Sequence, residues 1–483
     1  MINNDSPIFS LDDVLKVTTG IIVSGKPENT FYGISTDSRL INKGNLFIAL
    51  KGEKFDGHNF ARTALEQGAA GILMQDEVII NRTLADETIA VIKVDDTLLA
   101  LGDLAHEWRK RFSIPVIGLT GSSGKTTTKE MMAAIIGREK NILKTEGNLN
   151  NLIGLPQTIF RITREHELVI LEMGTNTRGE IKRLTQIAAP DIGLITNVGP
   201  AHLAGFGSID AVREEKNDLF LNMSSSGIAI INLDDEAVTT AAERWNGRRI
   251  TFSMSPNADI TVKDIERNGV KGVRFNLVVG GSTQKVEMKI AGLHHVHNAM
   301  AAAAAAIAVG IDQKTIAEGL AAFRPFSGRM EIIRLHNGAF LLDDSYNANP
   351  ASVREALLTL KDLKAHHNGY VFLGDMLELG EGADEMHRKI GMLIATIGVN
   401  ALFLRGDFSE VTAAGAAEGG LSPENIFFLS DNEKGIVYLK EHLKKGDWIM
   451  VKGSRRMKME KIAAQICDDF GSDEINGNNK TIH

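Results

Sequence analysis

Cysteine is almost missing: Cys467 is the single one in 483 residues. That excludes an intrachain disulfide and any cysteine-built metal cluster. A basic excess is missing too. Lys and Arg total 53 against 61 Asp and Glu, a formal charge of −8, whereas nucleic-acid surfaces ordinarily carry the opposite balance. Nor is there a long apolar run. The longest, residues 299–311, is alanine-rich and falls short of the roughly 20 residues a bilayer-spanning helix needs. The opening MINNDSPIFS has neither the basic region nor the apolar core of a secretory signal, and no internal repeat is present. The expectation is a soluble, cytoplasmic, monomeric protein that neither binds nucleic acid nor spans a membrane.

What is present is an ordinary globular composition, 43% hydrophobic and 24% charged, enough for sizeable cores. At about 150 residues per domain the length suits three domains. The most informative stretch is VIGLTGSSGKTTT, residues 116–128. A β-branched run gives way to a loop with Gly121 and Gly124, then Lys125, threonines and a helix-forming series over 129–137. Strand, glycine loop and helix set backbone N–H groups and a helix N-terminus against a phosphate. Glycine lets the backbone turn tightly and come close to the anion. Thr120, Gly121, Ser122, Ser123, Gly124, Lys125, Thr126 and Thr127 are the expected cradle, with Lys125 on the outer phosphates and the Thr126 hydroxyl on Mg²⁺. The general P-loop pattern wants glycine where this chain has Leu119, so the loop is a shorter variant. The alternative is a plain glycine-rich turn before a helix.

Before this loop, a helix is expected over 11–17, strands over 31–38, 44–50, 71–74 and 90–94, and a helix over 60–68. Two polar loops, STDSR at 35–39 and KGEKFDGH at 51–58, suit a polar or phosphorylated ligand or are simply hydrophilic loops. After a helix over 97–112 and the phosphate loop, an asparagine-rich loop covers 146–154. An apolar strand over 168–171 ends on Glu172, on the ligand-binding edge of a parallel sheet, where a carboxylate can hold Mg²⁺. A second strand over 192–197 delivers His202. Lys216 lies on a helix over 212–219 among glutamates, where a solvated ion pair is the ordinary reading. A β-meander over 260–290 precedes the alanine-rich helix, near whose start lie His297 and Asn298.

Beyond a hinge at FSGR, residues 326–329, strands and helices alternate to residue 467, the spacing of a doubly wound, mostly parallel sheet. Its strand ends carry Asp344-Ser345-Tyr346-Asn347, Gly374-Asp375 and Lys452-Gly453-Ser454-Arg455. The polar tail after Gly471 is expected to be disordered.

In order, TGSSGKTTTKEM, EMGTNTRGEI, NVGPAHL, the Glu215-Lys216 pair, HVHNA, SGR, LLDDSYNANP, GDMLELG and VKGSR resemble the Mur ligase family from residue 35 to 455. The resemblance implies an α/β protein of three domains. These are a small α/β domain for a UDP-linked substrate over 1–96, a central P-loop ATPase-type sheet with the inserted meander over 97–324, and a Rossmann-like domain over 325–470; the tail 471–483 follows. DDSYNANP with GDMLELG points, within that family, to ATP-dependent joining of D-alanyl-D-alanine to a UDP-N-acetylmuramoyl-tripeptide through an acyl phosphate. A folylpolyglutamate synthase would share the phosphate loop but lack those two motifs. A P-loop protein that turns over ATP without ligation is the reading from a different class.

The resemblance also implies roles. Lys125, Glu172, His202 and Lys216 would be catalytic, with Thr126, Glu172, His202 and Lys216 around two Mg²⁺ ions and Lys216 carried as a carbamate. Asn298, Arg329 and Asp344 would meet the nucleotide. Ser35, Asp37, Ser38, Arg39, Asn150, Asn151, Thr175, Asn347, Asn349 and Lys452 are the expected substrate contacts.

Overall fold

The computed structural model describes residues 7–52, 55–75 and 89–473. Glu53 and Lys54 of the second polar loop, and residues 474–483 of the tail, lie outside the described residues.

The centre is a nine-stranded sheet. Val116–Thr120 runs parallel between Leu168–Glu172 and Ile192–Ile195, and Ile142–Lys144 closes that side. On the other side Ile228–Asn232 and Arg248–Ser253 continue in parallel. These strands are buried along their length, as near-continuous apolar runs covered on both faces must be. Their side chains alternate between two cores. Val116, Val169 and Leu171 join one with Leu101, Leu104, Ile187 and Leu219. Ile117, Leu119 and Ile170 join the other with Met131, Ile135 and the alanines of helix His294–Ala308. The meander Ile260–Arg267, Val273–Val279 and Ser282–Met288 is no separate insert: its first strand pairs in parallel with Arg248–Ser253, so the three extend the same sheet.

A five-stranded sheet precedes it, with Ile34–Ser35, Leu46–Ile48, Gly71–Met74 and Ala90–Lys93 parallel and Ile21–Ser24 an antiparallel edge. Its core is continuous with that of the central sheet through helix Thr97–Lys110. Beyond residue 330 a seven-stranded sheet follows. Phe340–Asp344, Trp448–Lys452, Gly369–Gly374, Ala401–Arg405 and Ile426–Phe428 are parallel, and Glu331–Leu335 is antiparallel to the first of these. Ser472–Asp473 adds a last antiparallel edge, Arg334 opposite Asp473. The tail expected to be disordered from Gly471 thus begins as strand, because an open sheet edge supplies the backbone partners that two polar residues cannot supply themselves. Helix Ser409–Glu418 and strand Glu331–Leu335 are further elements the sequence pattern did not suggest. Among the described residues no helix is long and apolar enough to cross a membrane.

Candidate active site

Both loop glycines have positive φ, +150° at Gly121 and +79° at Gly124. A Cβ on Gly121 would lie 1.9 Å from Thr196 Oγ1, and one on Gly124 2.5 Å from Asn298 Oδ1. Gly124 is the N-cap of helix Lys125–Ile136, whose first-turn N–H groups helix geometry leaves without internal partners. The next strand end braces the loop: Ser122 N donates to Asn197 O (3.0 Å), Ser123 N to Asn197 Oδ1 (3.0 Å), and Thr196 Oγ1 to Ser123 O (2.7 Å). Asn197 was in a motif quoted above, but nothing local distinguishes a brace from a ligand contact. Thr120 faces the neighbouring strand, its hydroxyl donating to Met173 O at 2.9 Å, and Thr127 is buried in the first helical turn. Gly124→Ala combines left-handed backbone strain of about 1–3 kcal/mol with that Asn298 clash. It is expected to weaken nucleotide binding by about 10-fold or more, read by titration calorimetry with ADP; unchanged affinity would mean that Asn298 yields freely.

Lys125 Nζ donates to the loop's own Gly121 O at 2.7 Å. Burial, together with the Arg329 guanidinium, lowers its pKa, against the opposing pull of Glu172. Glu172 accepts from Asn150 Nδ2 (2.9 Å) and Thr126 Oγ1 (3.3 Å) on Oε1, and its N–H donates to Thr145 Oγ1. Its Oε2 is buried without a hydrogen-bond partner, 3.7 Å from Lys129 Nζ. A buried carboxylate oxygen with spare lone pairs beside a threonine hydroxyl and a phosphate cradle fits Mg²⁺, which takes one or two carboxylates and completes its shell with phosphate and water. No group of three or more His, Cys, Asp or Glu among the described residues is arranged to hold a metal alone, so the phosphates would have to share the work.

Lys216 is 2% exposed, on helix Ile209–Asn222. Burial first, then Lys125, push its amine down to about 7, with Glu215 pulling the other way. Glu215 is occupied elsewhere: it accepts from Thr175 Oγ1 (3.0 Å), Gly179 N (2.6 Å) and Ile181 N (2.7 Å). The surface ion pair that helix composition suggested does not form. Tertiary packing on the sheet, invisible to local spacing, removes Lys216 from water.

The last sheet delivers its strand ends to the same place. Asn349 caps helix Pro350–Lys364, Oδ1 accepting from Ser352 N, and its Nδ2 donates to Ser122 O at 3.2 Å. Its amide is therefore engaged at both ends, a different occupation from the substrate contact expected of it. The Arg329 guanidinium stacks 4.1 Å over Tyr346. Asp344 pairs with buried Lys452 and accepts from Met330 N, and Lys452 also reaches Asn347 O at 3.0 Å. Exposed Asn347 accepts from Ala348 N and Arg455 N. Two further side chains serve the local backbone: Asn151 Oδ1 accepts from Gly154 N, and Asp37 Oδ1 accepts from Arg39 N at 2.9 Å while its Oδ2 pairs with the Arg39 guanidinium at 2.6 Å. The Asp37 carboxyl consequently lies below its usual range, chiefly through the Arg39 hydrogen bond.

Ser35 and Asp37 line a cleft of about 470 Å³ against Gln157, Phe160, Arg161 and Thr163 of the central unit. Ser38 is buried beside it and Arg39 is exposed. Sequence reasoning missed Gln157 and Arg161, which have no motif around them. It also missed Glu378, whose carboxylate accepts from His202 Nδ1 at 2.6 Å and is thereby held below its ordinary range.

Three family models match the chain: Mur ligase family, catalytic domain, at 30–109; Mur ligase middle domain, at 119–306; and Mur ligase, glutamate ligase domain, at 328–455. A UDP-N-acetylmuramoyl-tripeptide–D-alanyl-D-alanine ligase of Bacillus subtilis is 34% identical over 460 residues, 95% of this chain and 98% of that protein. Among solved structures, MurF from Acinetobacter baumannii superposes with a TM-score of 0.86 at 29% identity, covering 96% of this chain and all of that one. MurF ligase from Thermotoga maritima in complex with ADP gives 0.80 at 27% identity, covering 90% and 97%.

Proposed function

The chain belongs to the Mur ligase family, and from that premise we propose the following reading. The protein is an ATP-dependent ligase that adds D-alanyl-D-alanine to UDP-N-acetylmuramoyl-tripeptide in peptidoglycan precursor synthesis. The observation that carries it is the meeting of the central sheet's ligand edge with loops of the last unit, Asn349 on Ser122 of the phosphate loop and Glu378 on His202 of the loop after Ile192–Ile195.

The tripeptide carboxylate oxygen attacks the γ-phosphorus of ATP, the bond to the β-phosphate oxygen breaks, and ADP leaves. The dipeptide amine then attacks the acyl carbon, and inorganic phosphate departs as the amide forms. Two anions must first approach each other, and the residues here suit that task. Lys125 and the first-turn N–H groups offset charge on the phosphates. Thr126 and Glu172 would hold a Mg²⁺, which supplies further positive charge to the transferring group. His202 and Lys216, the latter as a carbamate, would hold a second. Neutral amines take up CO₂, and burial has brought Lys216 near that state. Asn298, Arg329 and Asp344 serve the nucleotide. The cleft at Ser35 and Asp37, with Ser38 and Arg39 at its edge, serves the UDP end, and Asn150, Asn151 and Thr175 are read as further substrate contacts. Residues 1–96, 97–324 and 325–470 are read as substrate, ATPase and dipeptide domains, acting in a cytoplasmic monomer.

Phosphate release measured with ATP, Mg²⁺, the UDP-linked tripeptide and D-alanyl-D-alanine, omitting one component at a time, tests the assignment. Release that requires both peptides and yields joined product is expected; turnover indifferent to the UDP-linked peptide would overturn it. Asn347 offers an exposed amide at the rim, so Asn347→Ala is expected to raise the dipeptide KM about 10-fold while kcat stays within about 3-fold, the loss of uniform binding. An equal fall in kcat would place Asn347 in the chemistry instead.

A further inference from the structure

One contact between the central sheet and the last one joins two unusual residues. His202 and Glu378 are both non-glycine residues with left-handed backbone, φ 54° and 65°, a conformation that persists only where surroundings enforce it. They face each other across 176 residues of sequence: Glu378 Oε2 lies 2.6 Å from His202 Nδ1, and Ala204 N donates to Glu378 O at 3.0 Å. Gly380, at φ 66°, lets the loop lie on this backbone; a Cβ there would sit 3.3 Å from Ala204 N. A carboxylate only accepts, so the Nδ1 nitrogen must carry the proton. A neutral His202 then has its lone pair on Nε2, the nitrogen left for a ligand.

We propose that Glu378 is a positioning residue. By docking on the His202 loop it sets that histidine's tautomer and ring orientation, and it does so only when the last unit is closed onto the central one. A carboxylate behind a histidine is the ordinary way to present its other nitrogen. Here the carboxylate comes from the unit that carries Asn347, a candidate dipeptide contact. The inference rests on the ligase reading for the purpose of closure: His202 is presented only once the amine-bearing unit has arrived, so acyl phosphate is not formed open to water.

Hydrogen exchange of the Ala204 amide, followed without substrates, reads the docking directly. Glu378→Gly removes the carboxylate and adds no left-handed strain at this positive φ, and Glu378→Gln, with the same backbone as the parent, is its companion. Glu378→Gly is expected to speed Ala204 exchange about 10-fold, and His202→Gly, which has no donor for Glu378, to do the same, with the double variant no faster than either single one. Glu378→Gln, which still accepts from Nδ1, is expected to stay within about 3-fold of the parent. Phosphate release from ATP and the UDP-linked tripeptide without dipeptide is expected to fall severalfold in Glu378→Gly and not in Glu378→Gln. Unchanged Ala204 exchange in Glu378→Gly, or multiplying effects in the double variant, would overturn the proposal. Because exchange is read without substrates, that failure leaves the ligase assignment standing; failure of the omission assay alone leaves the docking standing.

Discussion

Lys125→Ala is expected to lower the rate of acyl-phosphate formation by about 10³-fold, the scale of losing one preorganised cation at a transferring phosphoryl group. Lys125 follows a loop bent by two positive-φ glycines, Gly121 and Gly124, and is the first residue of its helix. Its amine is held within 2.7 Å of Gly121 O, and the nearby carboxylate of Glu172 favours its charge while burial opposes it. Single-turnover mixing of enzyme, labelled ATP and the UDP-linked tripeptide isolates this step from dipeptide capture. A variant that transfers phosphate at the parent rate would remove Lys125 from the chemistry.

Lys216→Met is expected to separate activity from stability. A buried ammonium without an ion pair costs folding free energy, so an apolar chain of similar length should raise the melting temperature by a few degrees. The sign with pH follows from the same cause. The folded protein gives up this proton at about 7 and the unfolded chain at 10.5. Between those values the unfolded state binds more protons, so this lysine's contribution to stability rises with pH across the window. The Met variant should lose that slope. Turnover is nonetheless expected to fall about 10²-fold or more, since the anionic group a carbamate would supply is gone. Scanning fluorimetry at pH 7 and 9 beside steady-state rates checks both halves. Parent enzyme kept free of CO₂ should lose turnover and recover it with bicarbonate. Undiminished kcat in Lys216→Met would end the carbamate reading.

Much of the site was legible because its signals are local. Gly121, Gly124, Lys125 and Thr126 sit within one turn, and the chemistry of a phosphate cradle dictates which residues can stand there. Glu172 was legible for a related reason: an apolar strand that ends on a carboxylate announces a sheet's ligand edge. Lys216 was different. Its helix neighbours suggested solvent, and only the resemblance pointed the other way; packing buries it. Asn349 is ambiguous from its motif because capping a helix and binding a ligand call for the same amide, and the structure shows it capping. Ser472 and Asp473 have no strand signal of their own, since what orders them is the edge strand Glu331–Leu335, far upstream in the chain.

The chain's order of residues by itself determined the alternation of strands and helices, the phosphate loop and the family, because each depends on periodicity or on neighbours a few positions apart. Tertiary structure alone decided which polar groups remain available. Asn197 braces the loop, Asn349 is engaged at both ends, Glu172 keeps one bare oxygen, and Glu378 reaches His202 from another sheet. Hydrogen-bonding capacity is consumed by whatever lies within about 3 Å, and distances between segments far apart in sequence exist only once the chain has folded.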